Sequence, residues 1–174
     1  MTKESKTHIE RPKRVIFRET FADEQSVRRN GGTPTNVTFS KGVGEFNGTN
    51  SKVQINRPFK GTVSIRVVFA SVTPLAGKYI VDFRTNDGAG YIYFSSDVVV
   101  QHSGGTRYVD GIPASAVSNN TKEIIITGIL IDNNSGYIGC LRDGSSNFIT
   151  ADIDFVEIYN YALTQSEIAN MAGI

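Results

Sequence analysis

The chain has 174 residues, enough to bury a core as one domain without disulfide or metal staples, and its 17 glycines among many Asn, Ser and Thr point to a loop-rich all-β protein. A lone Cys140 excludes an internal disulfide framework, and two widely separated histidines, His8 and His102, exclude a histidine-rich metal site. The net charge of +1 is unevenly placed: residues 1–18 hold six Lys or Arg against Glu4 and Glu10, a balance of +4 that leaves −3 elsewhere and no basic face for nucleic acid.

The polar start MTKESKTHIERPKR lacks the apolar segment of a signal peptide, and no apolar run approaches the roughly 20 residues that cross a bilayer, so no membrane insertion is expected. Residues 1–16 read as a basic extended arm, either a solvated tail or an attachment to a larger protein assembly, and residues 17–174 as the folded domain. RVIFRETF (Arg14 to Phe21) predicts a first strand, and DEQSVRRNGGTPTN after it a loop. GVGEFNGTNSKVQI (Gly42 to Ile55) predicts two short strands paired as a hairpin around Asn47-Gly48.

TVSIRVVFASV (Thr62 to Val72) alternates Val63, Ile65, Val67 and Phe69 with Ser64, Arg66 and Val68, the period of a half-buried strand. KYIVDFRT, GYIYFSS, DVVVQHS, TRYVDGIPA, KEIIITGILI, SGYIGCL and NFITADIDFVEIYNY follow. They are bounded by turn chemistry such as Asn86-Asp87-Gly88, Asp110-Gly111, Asn133-Asn134 and Asp143-Gly144. Roughly ten to twelve short strands at this spacing predict an antiparallel sandwich. One helix is legible at the end, where Thr164 caps, Glu167 reaches back to it, and Leu163 and Ile168 form a hydrophobic staple; it is expected to close one edge or end of the sandwich.

Three stretches in order, GVGEFNGTNSKVQI, RYVDGIPAS (Arg107 to Ser115) and YIGCLRDGSSNFITADIDFVEIYNYALTQSEI (Tyr137 to Ile168), resemble the laminin G-like members of the concanavalin A-like lectin and glucanase superfamily. The chain departs from that pattern in the middle, where many relatives carry Trp-His and this sequence has Thr121-Lys122-Glu123. The resemblance implies an all-β, antiparallel two-sheet jelly-roll sandwich with one short C-terminal helix. It leaves function open, because the fold carries lectins, adhesion modules, hydrolases and structural domains alike.

Glucanases of that superfamily cleave with two carboxylates on one strand face, about 5–5.5 Å apart in a retaining enzyme. Asp152, Asp154 and Glu157 match the bulged form of their motif only if Asp replaces its first Glu. The same residues also fit a structural strand in which a local irregularity turns Ile153, Val156 and Ile158 to the core, and the chain has no Trp to line a cleft. No catalytic residue is therefore expected.

Sugar binding needs aromatic faces and hydroxyl-satisfying side chains, and Tyr79, Tyr91, Tyr93 and Tyr108 are the candidates, with half-buried sandwich tyrosines as the plainer reading. The resemblance also implies a possible calcium site, for which Asp110, Asp132 and Asp143 offer hard oxygen ligands that turns equally favour. Cys140 reads as a small buried residue, and the Asn-x-Ser/Thr matches at Asn36, Asn47, Asn119 and Asn133 do not establish secretion.

The expected function is a non-catalytic carbohydrate-binding or adhesion domain, extracellular or on a virion surface, with a cell-surface glycan or polysaccharide as partner. Laminin G-like domains occur on bacteriophage virions as head or tail decorations, and an initiating Met, the absence of a leader and one free Cys fit that setting. A purely structural virion decoration is the alternative, and a glycoside hydrolase the third reading.

Overall fold

The first strand, β1 (Val15–Glu19), begins two residues inside the segment assigned to the arm. The computed structural model of the chain describes residues 13–84, 88–102 and 104–172, so most of the arm and the turn residues Asn86 and Asp87 lie outside the described residues. The sequence expected as loop after β1 folds instead into a short helix, α1 (Glu24–Arg29), and an edge strand, β2 (Gly32–Thr35). Asp23 and Ser26 explain the helix: the Asp23 carboxylate accepts from the Ser26 N–H at 2.6 Å, and the Ser26 hydroxyl oxygen accepts from the Asp23 N–H at 3.4 Å. Pro34 is tolerated in β2 because the strand is an edge. Gly32 is required because a Cβ there would meet the Val27 side chain at 2.6 Å.

The remaining strands are β3 (Thr38–Ser40), β4 (Val43–Asn47), β5 (Lys52–Ile55), β6 (Phe59–Thr73), β7 (Tyr79–Asp82), β8 (Tyr91–Ser96), β9 (Val99–His102), β10 (Thr106–Val109), β11 (Ile112–Pro113), β12 (Glu123–Asn133), β13 (Gly136–Ile138) and β14 (Thr150–Tyr159), followed by helix α2 (Gln165–Ala172). They form two antiparallel sheets. One has eight strands in the order β11-β10-β12-β6-β14-β4-β3, with β1 also on β14; the other has six in the order β2-β5-β13-β7-β8-β9. β6 pairs with β14 from Thr150 to Tyr159, so β4 and β1 share its other edge, β4 over Thr150–Ile153 and β1 over Val156–Tyr159.

The predicted Asn47-Gly48 hairpin does not form. β4 and β5 belong to different sheets, and the chain crosses the sandwich between them. The Asn47 side-chain oxygen accepts from the N–H groups of Thr49, Asn50 and Ser51 at 2.9, 3.0 and 3.2 Å, which makes it the cap of a crossing loop rather than the centre of a tight turn. The two-residue hairpin turn nearby is Lys41-Gly42, with φ of 52° and 81°, joining β3 to β4. Asp110-Gly111, with φ of 50° and 79°, makes the same kind of turn between β10 and β11, as its sequence predicts.

The core lies between the sheets. β6 points Val63, Ile65, Val67 and Phe69 inward, as its alternation predicts, against Ile124, Ile126, Ile129 and Ile131 of β12 and Ile153, Val156 and Ile158 of β14. From the six-stranded sheet come Val53, Ile55, Ile80, Val81, Ile92 and Phe94, and the edge-to-face contacts Phe17–Phe59 at 5.7 Å and Phe59–Phe83 at 5.3 Å tie the two layers together. Each such fully buried side chain contributes about 1.5–3 kcal/mol against conformational entropy.

α2 does not close an edge or end. It lies on the outer face of the eight-stranded sheet, where Leu163 and Ile168 pack with Tyr108, Ile125 and Tyr159 in a second apolar cluster. The predicted cap is present: the Thr164 N–H donates to Glu167 Oε2 at 2.7 Å and the Glu167 N–H to Thr164 Oγ1 at 3.3 Å. Ser64, buried on β6, fixes the approach, accepting from the Leu163 N–H at 2.9 Å and donating to the Tyr161 carbonyl at 2.8 Å.

Candidate functional site

Strand pairing gathers three of the four candidate tyrosines on the outer face of the six-stranded sheet. Tyr79 stands opposite Tyr93, and Asp82 opposite both Tyr91 on β8 and Tyr137 on β13. Strict alternation would put Tyr79 and Asp82 on opposite faces; a bulge between Tyr79 and Val81 brings both outward while Ile80 and Val81 stay in the core. Tyr79 and Tyr93 stack with centroids 5.1 Å apart and planes 18° apart, and Tyr91 tilts against them at 6.0 and 5.6 Å. The rings are therefore packed on one another and do not spread into a flat platform.

Arg84, two residues past β7, lays its guanidinium 4.3 Å from the Tyr91 ring centre and 5.2 Å from that of Tyr79. Its Nε lies 3.1 and 3.0 Å from the two Asp82 carboxylate oxygens and Nη2 2.9 Å from Oδ2, a fork-on-fork pair. The N–H groups of Arg84 and Arg142 also donate to Asp82, each at 3.2 Å. Burial pushes the Asp82 carboxyl above the ordinary carboxylate range, and the hydrogen bonds and charge of Arg84 pull it part of the way back. The Tyr93 hydroxyl donates to Gln101 Oε1 at 2.7 Å; burial, then the neighbouring tyrosines, raise that phenol.

Beside the tyrosines a cleft of about 340 Å3 opens between the end of β7, the β12–β13 turn and the loop after β13. Asp82, Arg84, Asn133, Ser135, Tyr137 and Arg142 line it. The volume falls at the lower end of the roughly 300–1,000 Å3 of small-ligand sites. Its wall is fixed by Gly136, where a Cβ would meet the Phe83 ring at 2.1 Å. Asn133 is 3% exposed, and its Nδ2 donates to the Phe83 carbonyl, while its Oδ1 is buried without a partner among the described residues. A buried acceptor in that state costs about 1–3 kcal/mol.

Tyr108 is not part of this group. It sits on β10 in the eight-stranded sheet, 7% exposed beneath α2, and so lies apart from the other three candidates. The three candidate calcium ligands are engaged separately. Asp110 Oδ1 accepts from the N–H groups of Lys122 and Glu123 at 2.8 Å, Asp132 pairs with Lys60 at 3.1 Å, and Asp143 accepts from the Ser145 N–H at 2.8 Å. Among the described residues no three His, Cys, Asp or Glu side chains stand together as a metal-holding group. Cys140 is buried, as expected, and burial pushes its thiol up to about 12, far from a thiolate at neutral pH.

The acidic strand behaves as the structural reading requires. Register shifts around Ile153 turn Ile153, Val156 and Ile158 into the core, leaving the three carboxylates on the outer side. Asp152 accepts from Ser71 Oγ at 2.8 Å. Glu157 is held by Arg66 and Arg18, each at 3.3 Å, and accepts from the Tyr159 hydroxyl at 2.7 Å. Arg66 also binds Glu123 Oε1 through Nε at 2.6 Å. Burial by itself would lower the Arg66 guanidinium, but its bond to Glu123 and the surrounding negative charge carry it upward.

Asp82, Arg84, Asn133, Tyr137 and Gln101 were missed by sequence reasoning. Arg84 lies beyond the strand and reaches back, the bulge that exposes Asp82 leaves no mark in the apolar pattern, and Asn133 reads as turn chemistry. Tyr137 had a usable signal, standing between Gly136 and Ile138 in a short alternating strand.

Residues 95–169 match the laminin G-like family model of the concanavalin A-like lectin/glucanases superfamily. The match runs from the end of β8 into α2, so it includes Asn133 and Tyr137, while Tyr79, Asp82, Arg84, Tyr91 and Tyr93 precede it. No curated protein sequence matches the chain. Among solved structures, domain 4 of AbnA, an extracellular GH43 arabinanase of Geobacillus stearothermophilus determined with arabinotriose, is 15% identical with a TM-score of 0.55, over 92% of this chain and 98% of that one. Trypanosoma rangeli sialidase, determined with the inhibitor DANA, is 16% identical with a TM-score of 0.50; the match covers 81% of this chain but only 29% of the sialidase. At these identities the likeness is one of fold.

Proposed function

We propose that the chain is a non-catalytic carbohydrate-binding domain that engages a glycan on the outer face of its six-stranded sheet. The observation that carries this reading is the polar cleft bordered by Asp82, Arg84, Asn133 and Tyr137, adjoining the packed rings of Tyr79, Tyr91 and Tyr93. Amide, carboxylate and guanidinium groups satisfy sugar hydroxyls, and the tyrosines supply an apolar shoulder for the C–H face of a neighbouring ring. A structural neighbour that was determined with arabinotriose is consistent with this use of the fold. The non-catalytic part of the proposal is supported by the acidic strand, where Asp152 accepts from the Ser71 hydroxyl and Glu157 is bound by Arg66 and Arg18.

At finer grain the domain works outside the cell or on a virion, displayed on a surface and attached through the basic segment 1–16. A purely structural decoration, held by that same basic segment and binding no sugar, is the second reading. The deciding experiment is a glycan and polysaccharide binding screen of the purified protein, with calcium and with chelator, in which released reducing sugar is assayed in the same wells. Binding without release is expected. Silence in every well would favour the structural decoration, released sugar would restore the hydrolase, and calcium dependence would direct attention back to Asp110, Asp132 and Asp143.

A further inference from the structure

We infer that the cleft reads one free sugar hydroxyl through Asn133 Oδ1, which makes Asn133, and not the tyrosine group, the position that sets specificity. The inference rests on the carbohydrate-binding reading and names what that site recognises: a saccharide with an unsubstituted hydroxyl flanked by acceptor oxygens.

The argument begins with the orientation of the amide. Nδ2 of Asn133 donates to the Phe83 carbonyl, a group that can only accept, so the side chain cannot turn over and its oxygen is fixed. That oxygen is buried, without a partner among the described residues, on a residue that lines the cleft. It needs a hydrogen-bond donor. The carboxylate of Asp82, which borders the same cleft, is already engaged by Arg84 and by the Arg142 N–H, so it ties the walls together, whereas Asn133 Oδ1 has no partner among the described residues.

A hydroxyl can donate to Asn133 and a glycosidic, O-methyl or O-acyl oxygen cannot. The neighbouring guanidinium of Arg84 can donate to adjacent ligand oxygens. The tyrosines discriminate less, since every pyranose offers an apolar face and these rings are packed mainly against each other. Sites built to bond a hydroxyl reject analogues that lack it far more strongly than apolar pockets reject a missing methylene.

The test uses the unmodified protein. An array of oligosaccharides and polysaccharides identifies the best glycan, and a series of that glycan deoxygenated or O-methylated at one position at a time is then titrated by calorimetry. One position is expected to lose at least about 100-fold in affinity in both forms, while the others lose less than about tenfold. In parallel, Tyr91→Ala should weaken the whole series by a similar factor and preserve that ranking. A protein that binds no glycan overturns the reading on which the inference rests. One that binds, yet tolerates every single-position analogue, overturns the inference alone and means that water serves Asn133 in the complex.

Discussion

The outer faces of the two sheets treat polar groups in opposite ways. On the eight-stranded sheet α2 covers Tyr108, Ile125 and Tyr159, and the charges beside it neutralise one another, Arg66 bridging Glu123 on β12 and Glu157 on β14. On the six-stranded sheet no helix among the described residues covers the tyrosines: they stay half-buried, Arg84 lies across them, and a cleft stands open beside them. Both faces carry carboxylates, arginines and tyrosines, so the presence of these residue types does not distinguish them. What distinguishes them is cover: α2 lies over the eight-stranded sheet, whereas the tyrosines and Arg84 of the six-stranded sheet border a cleft without a helix across it among the described residues.

Substitutions can break that contrast, the largest effect being expected on the closed face. Arg66→Met should remove about 3–5 kcal/mol of stability in a urea titration, because it strands the Glu123 carboxylate and takes one of two arginines from Glu157, both less than a tenth exposed. Glycan affinity of the folded fraction should be unchanged, and a loss under about 1 kcal/mol would mean that this network is wetter than its burial indicates. Ile168→Ala should follow at about 2–5 kcal/mol, since α2 is held through that side chain and Leu163.

On the open face the effects move from stability to binding. Tyr91→Ala should weaken glycan binding about tenfold, some 1.4 kcal/mol, and shift the unfolding midpoint only slightly. A variant that unfolds early and binds normally would reverse the assignment of the two faces. Thr164→Ala, which removes the α2 cap, should cost about 1 kcal/mol and leave binding alone.

The smallest effect concerns His102. Burial first, then the Arg107 charge, lowers its imidazole below the ordinary value near 6.5, while a bond to the Gly104 backbone opposes the shift. The neutral ring is thus favoured in the fold. Its contribution is fully present above about pH 6.5 and is lost as pH falls through the lowered folded value, because the unfolded chain takes up the proton first. His102→Gln should flatten that slope in thermal melts recorded across the window.

Much of the scaffold could be read from the residues, for identifiable reasons. The alternation of Val63, Ile65, Val67 and Phe69 is a local signal, and so is the Thr164–Glu167 cap with its Leu163–Ile168 staple. The partner of a strand is a non-local fact, and there the reading failed. Asn47-Gly48 has hairpin chemistry but crosses between sheets, Lys41-Gly42 has none of the favoured first residues yet forms the hairpin, and Tyr108, a candidate alongside Tyr79, Tyr91 and Tyr93, lies in the other layer. The site suffers doubly, since Asp82 depends on a bulge and Asn133 on which side of its amide meets Phe83.

The first and last described segments lie on the same side of the molecule. β1 pairs with β14, Lys13 sets its ammonium 5.0 Å from the centre of the Tyr161 ring, and α2 packs on the same sheet. A tether joined at Lys13 or at the end of α2, whether a sensor-chip linker, a bead or a neighbouring domain, would therefore meet the protein on the side of its eight-stranded sheet, away from the opposite sheet. Capture through a terminal tag should then give the same surface capacity for glycan as free protein gives in solution. Random coupling through lysines should lower it, since Lys52 begins β5 within the tyrosine-bearing sheet and Lys78 directly precedes β7.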